Sequence, residues 1–369
     1  MERETCYTVV GAGHGGKAMA AHLALMGYPV TLFNRTAAHV AGIQARGGIQ
    51  LTSADSKDGQ GFGALRAVTS SIDQALAEAD IVMIVVPACA HQDIARMAAP
   101  YLRDGQILVL NPGRTCGAIE FVHTLRQEGC TADVIVAETG TFIYASRSDG
   151  PAQARIFRTK DAVPLAAIPA TRTAQVLDRL CPAYPQFIAG ENVLHTSLNN
   201  MGAIFHPALT LLNAGRIEST HGDYQFYIEG VTSSVSRVLE TLDRERVTIA
   251  AALGVRAVTA MEWLQMAYDA RGSGLNEAIH NNPGYYGIKA PANLEHRYIF
   301  EDVPMSLVPI AALGRQYGVQ TKGIESIVRL ACIVHGTDYW RTGRTLDKLG
   351  LLGLSISELT TYVMEGILP

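Results

Sequence analysis

At 369 residues, with a net charge of −4 and a hydrophobic fraction of 48%, the chain is long enough for two packed cores and lacks the basic surplus that holds nucleic acid. Six scattered cysteines with no C-x-x-C pair argue against a disulfide framework or a zinc site, and no metal site is expected. No apolar run approaches the ~18 residues that a membrane span needs, and the polar start lacks the pattern of a secretory signal, so a cytoplasmic protein with no membrane partner is expected.

From the start, short apolar runs alternate with helical segments, the pattern of a doubly wound parallel sheet. Residues 6–10 read as the first strand, 17–26 as a helix with Met19, Leu23 and Met26 on one face, and 28–33 as the second strand. Between strand and helix lies Gly11-Ala12-Gly13-His14-Gly15-Gly16, which matches G-x-G-x-x-G. In that context Gly11 makes the tight turn, Gly13 lets a pyrophosphate approach the backbone, and Gly16 permits close packing of helix on strand. Glycine loops also serve as plain turns, but the complete strand–helix–strand unit favours a dinucleotide site with His14 and Gly15 on its rim.

Which dinucleotide is held is decided after the second strand, where a carboxylate would bind the ribose hydroxyls of NAD. The chain has Asn34-Arg35-Thr36 there, and a guanidinium at Arg35 suits a 2′-phosphate, so NADP(H) is preferred and NAD(H) remains accommodated. A solvated surface arginine with dual cofactor use is the plain alternative. Further strands at 81–86, 107–110 and 134–137 are continuous apolar runs suited to burial on both faces. Pro87 and the Asn111-Pro112-Gly113-Arg114 turn end two of them where a ligand crevice belongs, which makes Pro87, Asn111, Pro112 and Gly113 cofactor-binding candidates, with simple turn formation as the alternative.

After about residue 186 the alternation gives way to helices, expected at 235–252, 258–269, 304–317, 324–334 and 355–364, so an α/β Rossmann domain over 1–186 and an all-α domain over 187–369 are expected. On the first long helical segment Leu198, Met201, Phe205, Leu209 and Leu212 form an apolar face, while Asn199, Gly202, His206, Thr210 and Asn213 form a polar, uncharged stripe. Such a stripe calls for a ligand or a polar network, with Asn199 and Thr210 as substrate-binding candidates and His206 as the sharpest catalytic candidate. A hydrogen-bonded structural histidine is the alternative, and Pro207 predicts a kink or break at that point. In Arg297-Tyr-Ile-Phe-Glu301-Asp302-Val-Pro304, Asp302 stands where helix capping would compete with a chemical role.

These motifs together, with Glu191 to Ser197 (E-N-V-L-H-T-S), His206-Pro207, Tyr227 to Gly230 (Y-I-E-G) and Arg297 to Val303 (R-Y-I-F-E-D-V), resemble the octopine/nopaline dehydrogenase family over nearly the whole chain. The resemblance implies a Rossmann domain, a helical domain and catalysis in the cleft between them. It also implies a proton-transfer pair at His206 and Asp302, with Arg297 as a carboxylate-binding residue. The reaction implied is reductive condensation of an amino acid with a 2-oxo acid through an imine, at the expense of NAD(P)H, in a chain that could form a homodimer. The departure is at Asn34-Arg35, where a bacterial member of the family carries an acidic residue. Two other readings compete: direct reduction of a 2-oxo acid, as in ketopantoate reductase-like or other 2-hydroxyacid dehydrogenases, and a non-catalytic NADPH-sensing protein.

Overall fold

The computed structural model describes residues 4–54 and 59–368. Two compact units emerge: Met1–Gly113 with Gly117–Thr196 and Thr361–Pro369, and Arg114–Cys116 with Ser197–Thr360. The division falls at 196/197 and not at the expected 186/187, because the strand Phe187–Ala189 pairs with Val163–Ile168 and so extends the sheet beyond residue 186. The last residues return to the first unit, where Tyr362 is buried and the Arg126 guanidinium lies 5.3 Å from its ring centroid.

The first unit is a doubly wound α/β domain. Its strands are β1 (Tyr7–Val10), β2 (Val30–Phe33), β3 (Gly48–Ser53), β4 (Gly61–Ala64), β5 (Ala67–Thr69) and β6 (Ile81–Ile84), then β7 (Ile107–Leu110), β8 (Ile135–Thr139), β9 (Tyr144–Gly150), β10 (Gln153–Thr159), β11 (Val163–Ile168) and β12 (Phe187–Ala189). Eight of them form one sheet in the order β12-β11-β8-β7-β6-β1-β2-β5. The run from β5 to β8 is parallel throughout, whereas β11 lies antiparallel to β8. Chain order reverses at β1, which pairs with both β2 and β6, and ligands of such sheets sit beyond the carboxyl ends of the strands at this point.

A second sheet, β4-β3-β10-β9, was not expected. Its buried Ile49, Leu51, Ala154 and Ile156 join the same core as β1 and β6, and the helix His14–Leu25 packs on both sheets. This explains a helix whose residues from Gly16 to Leu23 are all buried and which has no broad polar face. On one side β4 approaches so closely that a Cβ on Gly63 would stand 2.6 Å from the Ala21 carbonyl oxygen. On β9, the Tyr144 hydroxyl lies 2.6 Å from His22 Nδ1.

The second unit is helical, built on Met201–Leu212, Ser233–Ala252, Val308–Gln316 and Lys322–His335. Thr232 caps Ser233–Ala252 by accepting from Val235 N, and Thr259 and Glu262 form a capping box at the start of Ala260–Tyr268. The fully buried Arg246 ties helices together through Asp243 and the carbonyls of Leu198 and Val258. Of the kink or break expected at His206-Pro207, the break does not occur: Met201–Leu212 runs through Pro207, and the interruption lies at Asn199-Asn200, after Val193–Leu198. Burial of Ala203, Ile204, Phe205, Ala208 and Leu209 holds the helix together past a proline whose intrinsic cost is about 3 kcal/mol.

The fit of β4 to the first helix generates a prediction. Gly63→Val should lower stability by about 1–3 kcal/mol, because the added side chain meets helix backbone that has no freedom to move aside. Urea unfolding with an unchanged slope measures it, and a variant as stable as the wild type contradicts the close approach.

Candidate active site

The glycine turn follows β1 and opens the helix His14–Leu25. Gly11 has φ +111°, a conformation that favours glycine, and a Cβ on Gly16 would collide with the Gly11 backbone. Around Gly13 nothing lies within 4 Å of where a side chain would begin, so its backbone stays open to an approaching anion. A Cβ on Gly15 would meet the Phe142 ring at 2.8 Å. His14 does not extend freely: its Nδ1 accepts from Ser148 N at 2.8 Å, and burial, with Arg147 and Lys17 nearby, lowers its pKa.

Asn34 serves the turn itself, its Oδ1 accepting from Ala12 N at 3.2 Å. Arg35 is 67% exposed, and its Nη1 lies 3.5 Å from Asp93. Pro87 is exposed just after β6. At the end of β7, Asn111 Nδ2 donates to Val109 O, while its buried Oδ1 has no hydrogen bond and remains an acceptor for a bound group. Pro112 follows through a cis peptide bond. A Cβ on Gly113 would run into the buried Glu138, whose carboxylate accepts from Ala118 N at 2.8 Å and Thr196 Oγ1 at 2.6 Å. These residues fit a dinucleotide: an open helix N-terminus, a bare glycine backbone and a spare acceptor at the end of β7.

In the helical unit, His206 Nδ1 lies 2.8 Å from Asp302 Oδ2, though the two are 96 residues apart in sequence. Asp302 is fully buried, and His206 keeps 17% of its side chain exposed. A carboxylate only accepts, so Nδ1 carries the proton and Nε2 is left to give or take one. Burial resists ionisation of Asp302, but Arg114, His206 and Arg297 outweigh it and hold the carboxyl below its ordinary pKa. For His206, burial lowers the pKa, Asp302 opposes this in part, and Arg114 and Arg297 add to the lowering. Asp302 does not cap the following π-helical turn Val303–Leu307, so its carboxylate is committed to the imidazole.

Residues from three chain regions complete the site. Tyr298 stacks on the His206 ring with centroids 4.0 Å apart, and Phe226 stacks on Tyr298 at 5.5 Å. Burial together with Tyr298, Tyr285 and Tyr268 raises the Tyr227 pKa well above the usual phenol value, so that hydroxyl stays protonated. Arg297 is 54% exposed, with Nε 4.0 Å from Glu301, and can meet a carboxylate. Arg114, noted from sequence only as part of a turn, is a buried guanidinium 3.4 Å from Glu301 and 3.3 Å from Asp302. A charged residue after N-P-G, within an otherwise small and uncharged run, was the signal available for it.

Two stripe residues act on the frame of the site. Thr210 is buried and donates its hydroxyl to the His206 carbonyl at 2.7 Å, and Asn199 Oδ1 accepts from Val258 N at 2.9 Å. Asn213 likewise donates to Leu209 and Gly230 carbonyls. Among the described residues no group of three or more metal-ligating side chains occurs, and no helix is long and apolar enough to cross a membrane.

Residues 7–128 match the family model described as the NAD binding domain of 6-phosphogluconate dehydrogenase, and residues 189–335 match that of NAD/NADP octopine/nopaline dehydrogenase, alpha-helical domain. An opine dehydrogenase of Arthrobacter sp. (strain 1C) is 40% identical over 97% of this chain and 98% of its own length. The structure of octopine dehydrogenase with NADH and L-arginine superposes with a TM-score of 0.81 at 20% identity, covering 97% of this chain and 98% of that one. Yersinopine dehydrogenase with NADP+ bound gives a TM-score of 0.76 at 14% identity, covering 99% of each chain.

The balance of charges around the imidazole predicts its titration. The His206 midpoint should lie below 6.5, and Asp302→Asn should move it lower still, because that change removes the group that favours the imidazolium while burial and both arginines remain. Histidine-selective NMR titration reads both values; a midpoint that rises in Asp302→Asn contradicts the assignment.

Proposed function

The chain belongs to the octopine/nopaline dehydrogenase family and is an NAD(P)-dependent oxidoreductase, and on that premise we propose that it condenses the amine of an amino acid with a 2-oxo acid through proton transfer at His206 and Asp302. The observation that carries this reading is the 2.8 Å contact between His206 Nδ1 and the buried Asp302 carboxylate, with Nε2 free to exchange protons. Gly11, Gly13, His14, Gly15 and Gly16, with Asn34, Arg35, Pro87, Asn111, Pro112 and Gly113, are the residues that would hold the cofactor. When bound there, the cofactor would supply the hydride that reduces the imine.

The chemistry asked of the chain's own residues is modest. Nε2 of His206 removes a proton from the amino acid's ammonium group, freeing the amine to attack the 2-oxo carbon. The same nitrogen returns the proton to the hydroxyl that leaves as water, so the protonated imine forms, the second ammonium proton having passed to the carbonyl oxygen, with no net change in the histidine. Asp302 orients the ring and stabilises its cation, and Arg297 binds a substrate carboxylate. Tyr298, lying over the imidazole, limits its rotation.

We favour NADP(H) over NAD(H), because Arg35 offers a mostly exposed guanidinium where a 2′-phosphate would lie, and no carboxylate follows β2 directly. Charge-assisted bonds of this kind contribute roughly 1.5–3 kcal/mol, about one to two orders of magnitude in cofactor preference.

Crossed assays of amino acids against 2-oxo acids test the proposal, and NADPH oxidation should require both substrates. Oxidation with the 2-oxo acid alone would point to simple ketone reduction, and tight NADPH binding without turnover across the panel to a sensor. His206→Ala should lower kcat by about 10²- to 10⁴-fold while NADPH binding is kept. Arg35→Ala should raise the KM for NADPH roughly 10-fold or more and leave that for NADH nearly unchanged. For opine oxidation, where His206 acts as base, kcat/KM should climb with pH to a plateau with its midpoint below 6.5, since the neutral imidazole is the active form.

A further inference from the structure

We propose that Arg114 is a positioning residue of the proton-transfer site, pinning one oxygen of Asp302 so that the other stays directed at His206. The inference rests on the reading of His206 and Asp302 given above. The two oxygens of Asp302 are treated unequally: Oδ2 meets the imidazole at 2.8 Å, while the buried Oδ1 has no hydrogen bond and faces Arg114 Nη1 at 3.3 Å. Arg114 is itself only 9% exposed and is held in place by Glu301 through Nε. Its charge therefore acts on the carboxylate with little screening by water.

The backbone around Arg114 points the same way. Although Gly113 and Gly117 belong to the sheet unit, Arg114–Cys116 belong to the helical one. This short segment is fastened by Thr115 N to Met305 O at 3.3 Å, Cys116 N to Ser197 Oγ at 2.8 Å and the buried Arg344 to Thr115 O at 2.9 Å. Arg114 and Cys116 both have φ +61°, a conformation that side chains resist and that persists where surrounding contacts impose it. Space is also reserved: a Cβ on Gly202 would stand 2.9 Å from Arg114 Nη1 and 3.2 Å from the His206 ring.

The charges acting on His206 are those of Asp302 and Arg297 from the 297–302 segment and Arg114 from the 114–116 segment, with Glu301 set against both arginines and the neutral phenols of Tyr298 and Tyr227 nearby. Two acids and two arginines cancel while the imidazole is neutral. Removal of Arg114 leaves an excess negative charge next to the ring and favours the imidazolium, so the His206 midpoint must rise.

The test compares Arg114→Met, Arg114→Gln and Arg114→Lys in the full chain. NMR titration of His206 requires no turnover, and the pH dependence of opine oxidation supplies a second readout. In the two neutral variants the midpoint should rise by about one pH unit, and Arg114→Lys should restore it to within about 0.3 of wild type. In the neutral variants kcat should fall while the KM for NADPH stays within about twofold. Arg114→Gln retains a donor for Glu301 and covers the case in which Arg114→Met does not fold. A midpoint unchanged in a folded neutral variant overturns the proposal, whatever happens to kcat. A wild type that shows the expected titration but forms no opine would instead overturn the reading of the function and leave the role of Arg114 toward Asp302 intact.

Discussion

The helical unit is organised around one buried carboxylate. Asp302 has no access to water, and a charge so placed is tolerated only when cations surround it. Arg114 and Arg297 supply the cations and the His206 ring a hydrogen bond, and the cost of leaving such a group uncompensated, about 3–5 kcal/mol, ties stability to the same contacts proposed to serve proton transfer. The π-helical turn after Asp302, the left-handed Arg114 and the bare Gly202 are local departures from regular structure that converge on this carboxylate. Regularity is given up where charge has to be placed.

The sheet unit solves a different problem, keeping an anion-binding turn rigid. Burial on two sides removes the freedom of the helix His14–Leu25 to rock, and Asn34 holds the loop from below through Ala12. A dinucleotide meeting this turn finds its donors already oriented, which reduces the ordering cost of binding. Arg35 is the contrasting case, a long exposed side chain paired at 3.5 Å with an Asp93 that is also exposed. On the proposed reading, rigid contacts would serve the pyrophosphate common to both cofactors, and an adaptable one the group by which they differ.

The parallel sheet was legible because its central strands are buried on both faces and read as unbroken apolar runs, Ile81–Ile84 and Ile107–Leu110 above all. The smaller sheet was not, since β9 buries only Tyr144 and carries Arg147 and Asp149, β10 buries only Ala154 and Ile156 beside Arg155 and Arg158, and β4 is half glycine. Local pattern also favoured a break at Pro207, and the apolar packing of the neighbouring turns prevails there. His206 and Asp302 each stood out, but their partnership spans 96 residues and was reached through family resemblance and not from spacing. Arg114 lies 187 residues from Glu301, and nothing local announces a guanidinium destined for a buried ion pair.

The sheet unit is assembled from three separate stretches of chain, the last of them 361–369. In that stretch Tyr362 is fully buried, and the Gly366 carbonyl accepts from Arg126 Nη2 at 3.1 Å, fastening it beside the helix Gly117–Gln127. The sheet unit therefore stays unfinished until residues 197–360 have been made, even though its first strand precedes them. Loss of residues 361–368 would wound that unit and spare the contact between His206 and Asp302, a defect surfacing far in sequence from most of the residues it disturbs.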